Sequence, residues 1–328
     1  MSDALSIVTD FAFSSDDQRL LREVVGPNSR VEVVSDITAL RRALPGAEVL
    51  CTFRPPADVV TLAPHLRWLQ YPGAGVDNLI REGVLHGDQP FVVTTVSSAN
   101  AQAIAEYIFG AMLIFARKWD EMLRLQTRKE WAQGRTWGAL RGFELQGRTL
   151  GIVGLGAIGR RAAGIARGFR MRVVGLRRTA QEEWSDPDCD LLYRPDQLTE
   201  LLGESDVVVL SVPLTNATIG MIGERELRAM RTNALLINVA RGEVVQEASL
   251  IRALRERWIA GAALDVTAEE PLARTSPLWD IPGVLVTPHM SGLTTGYATR
   301  VAQLFAENLR RFTNQEPLLN QVDYTRGY

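Results

Sequence analysis

Three apolar runs late in the chain each end in residues that can do chemistry. Arg241 follows "LLINVA", Asp265 and then Glu270 follow "GAAL", and His289 follows "VLVTP". In an open parallel α/β sheet, ligands bind at the carboxyl ends of the strands. These residue types together suit delivery of a hydride to a carbonyl, which needs a fixed substrate, a polarised carbonyl and a proton donor. An arginine can grip a carboxylate through two hydrogen bonds and polarise the neighbouring carbonyl. A histidine can give or take a proton near neutral pH. A glutamate against it favours imidazolium and raises its pKa. The other two histidines, His65 and His86, stand in polar, loop-like stretches that suit the surface. The competing reading is structural: a helix cap for Arg241, solvated carboxylates for Asp265 and Glu270, and a histidine that only packs.

A hydride needs a carrier. "LGIVGLGAIGRRAAGIA" places Gly154, Gly156 and Gly159 in G-x-G-x-x-G spacing, after a β-rich run and at the start of a helical one. The first glycine permits a tight turn, the second lets a pyrophosphate approach the backbone, and the third lets helix and strand pack closely. The helix start adds N–H groups and a partial positive charge for the phosphates. Ala157 and Ile158 lie inside this loop and are candidate cofactor contacts with the three glycines. The next β run, "MRVVGLRRTA", ends in Arg177 and Arg178 where such a loop usually has a carboxylate. An acid there bonds the ribose 2′-hydroxyl of NAD, and arginine instead accommodates the 2′-phosphate of NADP. Thr179 adds a hydroxyl, and the nearest following acids in the sequence are Glu182 and Glu183. The pattern predicts a preference for NADP, with NAD possible. The alternative is that both arginines are solvated or stack on the adenine while NAD is used.

The elements that must position these groups alternate along the chain. β-rich runs occur at "LSIVTDF", "VEVVSD", "EVLCTF", "LRWLQY" and "FVVTTV", separated by helical stretches such as "DDQRLLREVV". A long helical pattern runs from Ser98 to about Trp131. A second β series follows: "TLGIVGLG", "MRVVGL", "DVVVLSVP", "ALLINVA", "AALDV" and "VLVTP". Strands alternating with helices predict βα units and parallel sheets. The tail from Tyr297 reads as one more helix. With 328 residues, two domains are expected.

Bulk properties exclude several classes. The net charge of −2 indicates no basic surface for nucleic acid. Two cysteines, Cys51 and Cys189, without metal spacing predict neither a disulfide framework nor a metal site. The start lacks the basic and apolar regions of a secretory signal, and no apolar run reaches the roughly 20 residues of a membrane span. A cytoplasmic protein without membrane contact is expected. Lysine occurs only at Lys118 and Lys129, both in a charged, helical-looking stretch. A Schiff-base lysine is therefore not indicated, and the Tyr-x-x-x-Lys pair of short-chain dehydrogenases is absent.

"GLGAIG", "NVARGEVV", "ALDVTAEEPL" and "VTPHMSG", in that order, resemble the D-isomer-specific 2-hydroxyacid dehydrogenases, a family that includes glyoxylate/hydroxypyruvate reductases. The resemblance covers nearly the whole chain. It implies hydride transfer between a nicotinamide cofactor and a 2-keto acid or D-2-hydroxy acid. The implied fold is α/β with two parallel-sheet domains, a Rossmann coenzyme domain over 99–295 inserted into a flavodoxin-like substrate domain made of 1–98 and 296–328. The family's catalytic residues fall on Arg241, Glu270 and His289, and its nicotinamide-side aspartate on Asp265. Pro213, Val239 and Ala240 are further candidate cofactor contacts. "YPGAGVDNL" is similar to the family's substrate-carboxylate loop, which makes the amides of Ala74 and Gly75 candidates; Arg54 and Arg241 are the other substrate contacts implied. The family is usually homodimeric, with 98–131 as the implied interface. A formate dehydrogenase matches less well, because that branch carries glutamine where Glu270 stands. A dinucleotide-sensing binding protein, as in the related corepressors, keeps the same Arg–Glu–His set, so those residues leave it open.

Overall fold

The structure is a computed structural model that describes residues 4–131, 138, 140–178 and 186–324. The chain divides into two compact units, Met1–Asn100 with Leu293–Tyr328, and Ala101–Gly292.

The first unit holds β1 (Ser6–Thr9), β2 (Arg30–Val33), β3 (Val49–Cys51), β4 (Trp68–Gln70) and β5 (Val92–Thr94). They form a parallel sheet in the order β2-β1-β3-β4-β5, the flavodoxin-like order. Side chains alternate between two cores. Val8, Leu50, Leu69 and Val93 face one, and Ile7, Val49, Cys51 and Trp68 face the other. The second core is closed by Phe305 from the Tyr297–Thr313 helix, which makes the C-terminal segment part of this unit.

The second unit holds β6 (Thr149–Val153), β7 (Arg172–Leu176), β8 (Leu191–Tyr193), β9 (Val207–Leu210), β10 (Leu235–Asn238), β11 (Gly261–Leu264) and β12 (Val284–Val286). Their order is β12-β11-β10-β9-β6-β7-β8, all parallel, which is the Rossmann order extended by one strand. Parallel strands covered by helices on both faces read as continuous apolar runs, and β6, β9, β10 and β11 are buried at every position. Strand order reverses beside β6, between β7 and β9. That switch point leaves a crevice outside the carboxyl ends of β6 and β9.

Two local expectations need correction. The long helical pattern is two helices, Ala101–Ala116 and Trp119–Thr127. The first ends because the Phe143 amide donates to the Ala116 carbonyl at 2.8 Å. A Cβ on Gly142 would lie 2.2 Å from that same oxygen, so only glycine lets the returning chain approach. Neither lysine lies inside a helix: Lys118 (φ 56) and Lys129 (φ 59) hold left-handed positions at helix ends. The short edge strand β8 was not anticipated.

Candidate active site

β11 and β12 pair with Leu264 opposite Val286, so Asp265 and Thr287 are the next residues in register beyond the sheet. Asp265 is buried, and chain 287–291 folds around it. The Thr287 hydroxyl donates to Asp265 Oδ1 at 2.6 Å, the Met290 amide donates to Oδ1 at 2.9 Å, and the Ser291 amide donates to Oδ2 at 2.9 Å. The His289 amide donates to the Asp265 carbonyl at 2.8 Å. His289 itself takes the left-handed conformation, φ 54. For a residue with a side chain that conformation costs about 1–3 kcal/mol. Hydrogen bonds worth about 0.5–1.5 kcal/mol net each offset it. The turn stands the imidazole out from the sheet edge, half exposed.

Glu270 meets it there. Its Oε1 accepts from the Thr267 amide at 3.2 Å, and its Oε2 lies 2.8 Å from His289 Nδ1. The hydrogen bond to Glu270 raises the His289 pKa; burial opposes this, the Glu270 and Asp265 charges support it, and Arg241 works against it. Burial pushes the Glu270 carboxyl up, but the His289 bond and charge, the Thr267 amide and Arg241 together leave it below its usual value. A protonated His289 therefore donates Nδ1–H to Glu270 and keeps Nε2–H for a substrate.

With His289 as the proton donor, carbonyl reduction would use the imidazolium, so activity is expected below the raised His289 pKa and is expected to be lost as pH rises through it. Glu270→Gln removes the charge that favours the protonated form. Its alkaline limb is expected at lower pH, in a kcat/KM profile taken where proton transfer limits the rate. An unshifted limb contradicts the pairing.

Arg241 enters from β10. Asn238, the last residue of that strand, is buried; its side chain donates to the Arg241 carbonyl at 2.9 Å and accepts from the Ala240 amide at 3.0 Å. The Arg241 Nη1 donates to the Ala240 carbonyl at 2.8 Å. A Cβ on Gly242 would lie 1.9 Å from the Thr267 carbonyl carbon, so glycine lets the arginine turn pack on the loop that carries Glu270. Asn238 was not among the expected residues. A polar asparagine ending an apolar strand, where asparagine is depleted, was the available signal.

The dinucleotide loop sits at the switch point. Gly154 has φ 103, and a Cβ there would lie 2.8 Å from Ser211 at the end of β9. A Cβ on Gly159 would lie 2.6 Å from the Gly154 carbonyl oxygen, whereas one on Gly156 would meet open space. Gly156 caps the Ala157–Gly168 helix with no side chain across its N-terminus. This arrangement fits a pyrophosphate lying on bare backbone. Ala157 is exposed and Ile158 half-buried at the helix start. Pro213 is exposed beyond β9; Val239 and Ala240 have buried side chains, so only their backbone is available to a ligand.

The Gly154 and Leu155 amides donate to the Leu176 carbonyl, which places the end of β7 and Arg177 beside the glycine loop. Arg177 is half-buried and Arg178 exposed. Thr179, Glu182 and Glu183 lie outside the described residues. Within them, Asp186 is an acid close enough for the Arg177 charge to help lower its pKa, although its main partner is Arg160. Arg160 Nη2 and Nη1 reach Asp186 at 2.7 and 2.9 Å, and Nη1 reaches Asp188 at 2.5 Å. The separation of Arg160 and Asp186 in sequence hid this bridge.

Arg54, Ala74 and Gly75 lie in the first unit, beyond β3 and β4. Arg54 and Ala74 are exposed. The loop carrying Ala74 and Gly75 is held by Tyr297, whose hydroxyl donates to the Pro72 carbonyl at 2.7 Å, and by the Val96 amide, which donates to the Gly73 carbonyl at 3.0 Å. Phe53 stacks on Tyr297 and meets Tyr71 edge-on, so aromatic rings support the same strand ends.

Residues 109–291 match the model of the D-isomer specific 2-hydroxyacid dehydrogenase, NAD binding domain. The chain is 37% identical over 305 residues to the glyoxylate reductase of Thermococcus gammatolerans, covering 92% of this chain and 86% of that protein. A D-isomer specific 2-hydroxyacid dehydrogenase family protein from Aeromonas salmonicida has a similar structure, with TM-score 0.85 and 28% identity over 98% of this chain and 100% of that one. So does a D-isomer specific 2-hydroxyacid dehydrogenase from Xanthobacter autotrophicus in complex with NADPH and MES, with TM-score 0.79, 30% identity and full coverage of both chains.

Proposed function

The chain belongs to the D-isomer specific 2-hydroxyacid dehydrogenase family and is an oxidoreductase of 2-keto and 2-hydroxy acids, and from that premise we propose how its residues divide the work. The observation that carries the proposal is the 2.8 Å contact between His289 Nδ1 and Glu270, beside Arg241 and at the carboxyl edge of a Rossmann sheet.

The Ala101–Gly292 unit is the dinucleotide-binding domain, and Met1–Asn100 with Leu293–Tyr328 is the substrate-binding domain. Arg241 grips the keto-acid carboxylate and polarises the adjacent carbonyl. His289 gives its Nε2 proton to the carbonyl oxygen in reduction and takes it back in oxidation. Glu270 holds the imidazole by Nδ1 and keeps it protonated. Amides of Ala74 and Gly75, with Arg54, add contacts to the substrate carboxylate. The nicotinamide, when bound, supplies or accepts the hydride. Gly154, Gly156 and Gly159, with Ala157 and Ile158, hold its pyrophosphate, while backbone at Pro213, Val239 and Ala240, with Asp265, borders the rest. Substrates are small 2-keto acids of the glyoxylate kind, in keeping with the named activity of the Thermococcus relative.

NADP is the preferred cofactor. Arg177 and Arg178 stand at the end of β7, where a dianionic 2′-phosphate would lie, and the Xanthobacter relative holds NADPH. One charge-assisted hydrogen bond is worth about 1.5–3 kcal/mol, so Arg177→Asp should lower the NADPH/NADH ratio of kcat/KM by about 10- to 100-fold. A parent enzyme that favours NADH, or an unchanged ratio in the variant, refutes this assignment.

The enzyme is a homodimer. The Trp119–Thr127 helix exposes Trp119, Met122 and Leu123, an apolar face that a second copy would cover. We place it in the cytoplasm, where nicotinamide cofactors circulate; Cys51 and Cys189 are free thiols. No helix of the described residues is long and apolar enough to cross a membrane.

A further inference from the structure

We propose that Tyr107 and Thr287 are positioning residues for His289: a relay of two hydroxyls that fixes the Asp265 carboxyl and, through it, the turn that carries the imidazole. The proposal rests on His289 being the proton donor.

Tyr107 projects from the Ala101–Ala116 helix, which packs against one face of the seven-stranded sheet, and its ring joins the core on that side. Its hydroxyl lies 2.8 Å from Thr287 Oγ1. Thr287 has a single hydroxyl proton, and the 2.6 Å contact with the acceptor Asp265 Oδ1 uses it. Thr287 can therefore only accept from Tyr107, so the direction of the chain is set: Tyr107 donates to Thr287, and Thr287 donates to Asp265. Burial pushes the Tyr107 phenol up to about 12, with the Thr287 bond pulling the other way, so it keeps the proton it must donate.

The terminal torsion of an aspartate side chain has no sharp preferred angle. Something outside Asp265 must choose the rotation of its carboxyl. The Met290 and Ser291 amides cannot choose it alone, because they belong to the turn that the carboxyl organises. Thr287 opens that turn directly beyond β12, where its own amide donates to the Leu264 carbonyl at 2.9 Å, and Tyr107 stands on a helix outside the turn; through Thr287 the tyrosine supplies the external reference. With the carboxyl set, the two amides close on it, the His289 amide closes on the Asp265 carbonyl, and the imidazole leaves the backbone at φ 54, directed to Glu270. Neither Tyr107 nor Thr287 needs to touch substrate for this. The available signal in the sequence was weak, a tyrosine at the start of the apolar run "YIFGAMLIFA" and a threonine before "PH".

The test is a double-mutant cycle on the purified enzyme, with kcat, KM for cofactor and keto acid, and melting temperature read for each variant. Thr287→Val keeps the shape and removes the hydroxyl. It should lower kcat by up to about a hundredfold, as expected for a misplaced catalytic group, with cofactor KM unchanged. Thr287→Ser restores the hydroxyl and should recover most of the rate. Tyr107→Phe should cost less, and adding it to Thr287→Val should cost nothing more, since the tyrosine acts only through the threonine. Additive losses, a Thr287→Ser variant as slow as Thr287→Val, or lowered melting temperature with kcat intact would overturn the relay. The underlying reading fails separately. If His289→Gln stays active, the donor is misassigned, whereas an active Thr287→Val beside an inactive His289→Gln sinks the relay alone.

Discussion

His289→Gln is expected to lower kcat for keto-acid reduction by about 10²–10⁴-fold, the range of a lost general acid. Glutamine is close in size and can still bond Glu270, so the loop around Asp265 keeps its partners. Those partners are the Thr287 hydroxyl and the Met290 and Ser291 amides, none of which involves the imidazole. The loss should therefore fall on kcat, while the KM for cofactor and the melting temperature hold. The measurement is steady-state reduction with a kinetic isotope effect to show that chemistry limits the rate. A variant with near-full kcat under that condition removes His289 from the mechanism.

Arg241→Lys is the second large effect. The guanidinium presents a planar fork that matches a carboxylate, and an ammonium on a flexible stem does not. In the proposed role Arg241 also polarises the carbonyl on which charge develops, and loss of such a donor costs about 10²–10³-fold. Lysine should raise KM for the keto acid and lower kcat together. The Asn238 bond to the Arg241 carbonyl is made by backbone, so the turn itself survives the change. Unchanged kinetics with a series of 2-keto acids would show that the carboxylate is gripped elsewhere.

The central strands of the two sheets were legible because they are buried on both faces and appear as unbroken apolar runs. Val207–Leu210 and Leu235–Asn238 are buried at every position, and their shortness and β-branched content set them apart from the apolar helix Ala101–Ala116. Arg241, Asp265 and His289 stand out in the sequence because each closely follows an apolar run, while Glu270 comes five residues after Asp265. What could not be read were closures between distant residues. The helix from Ala101 ends at Ala116 because Phe143 returns to it, and no residue near 116 announces that. β8 has three residues, partly exposed, too few to carry a period. Asp186 comes nine residues after Arg177 and bonds Arg160, so the acid whose pKa the Arg177 charge helps to lower does not appear in the stretch "VVGLRRTA". Asp265 was expected beside the nicotinamide. The structure adds a task that spacing could not show, since its carboxyl organises the turn that carries His289.

The central claim is that this fold reduces 2-keto acids to D-hydroxy acids with a nicotinamide. The most direct measurement is to incubate the purified protein with hydroxypyruvate and each reduced cofactor. Cofactor oxidation and the configuration of the hydroxy acid are followed together. The account predicts stoichiometric oxidation of the cofactor, faster with NADPH, and D-glycerate as the product. Formation of the L acid, or no oxidation of either cofactor with any 2-keto acid from glyoxylate to phenylpyruvate, would contradict it.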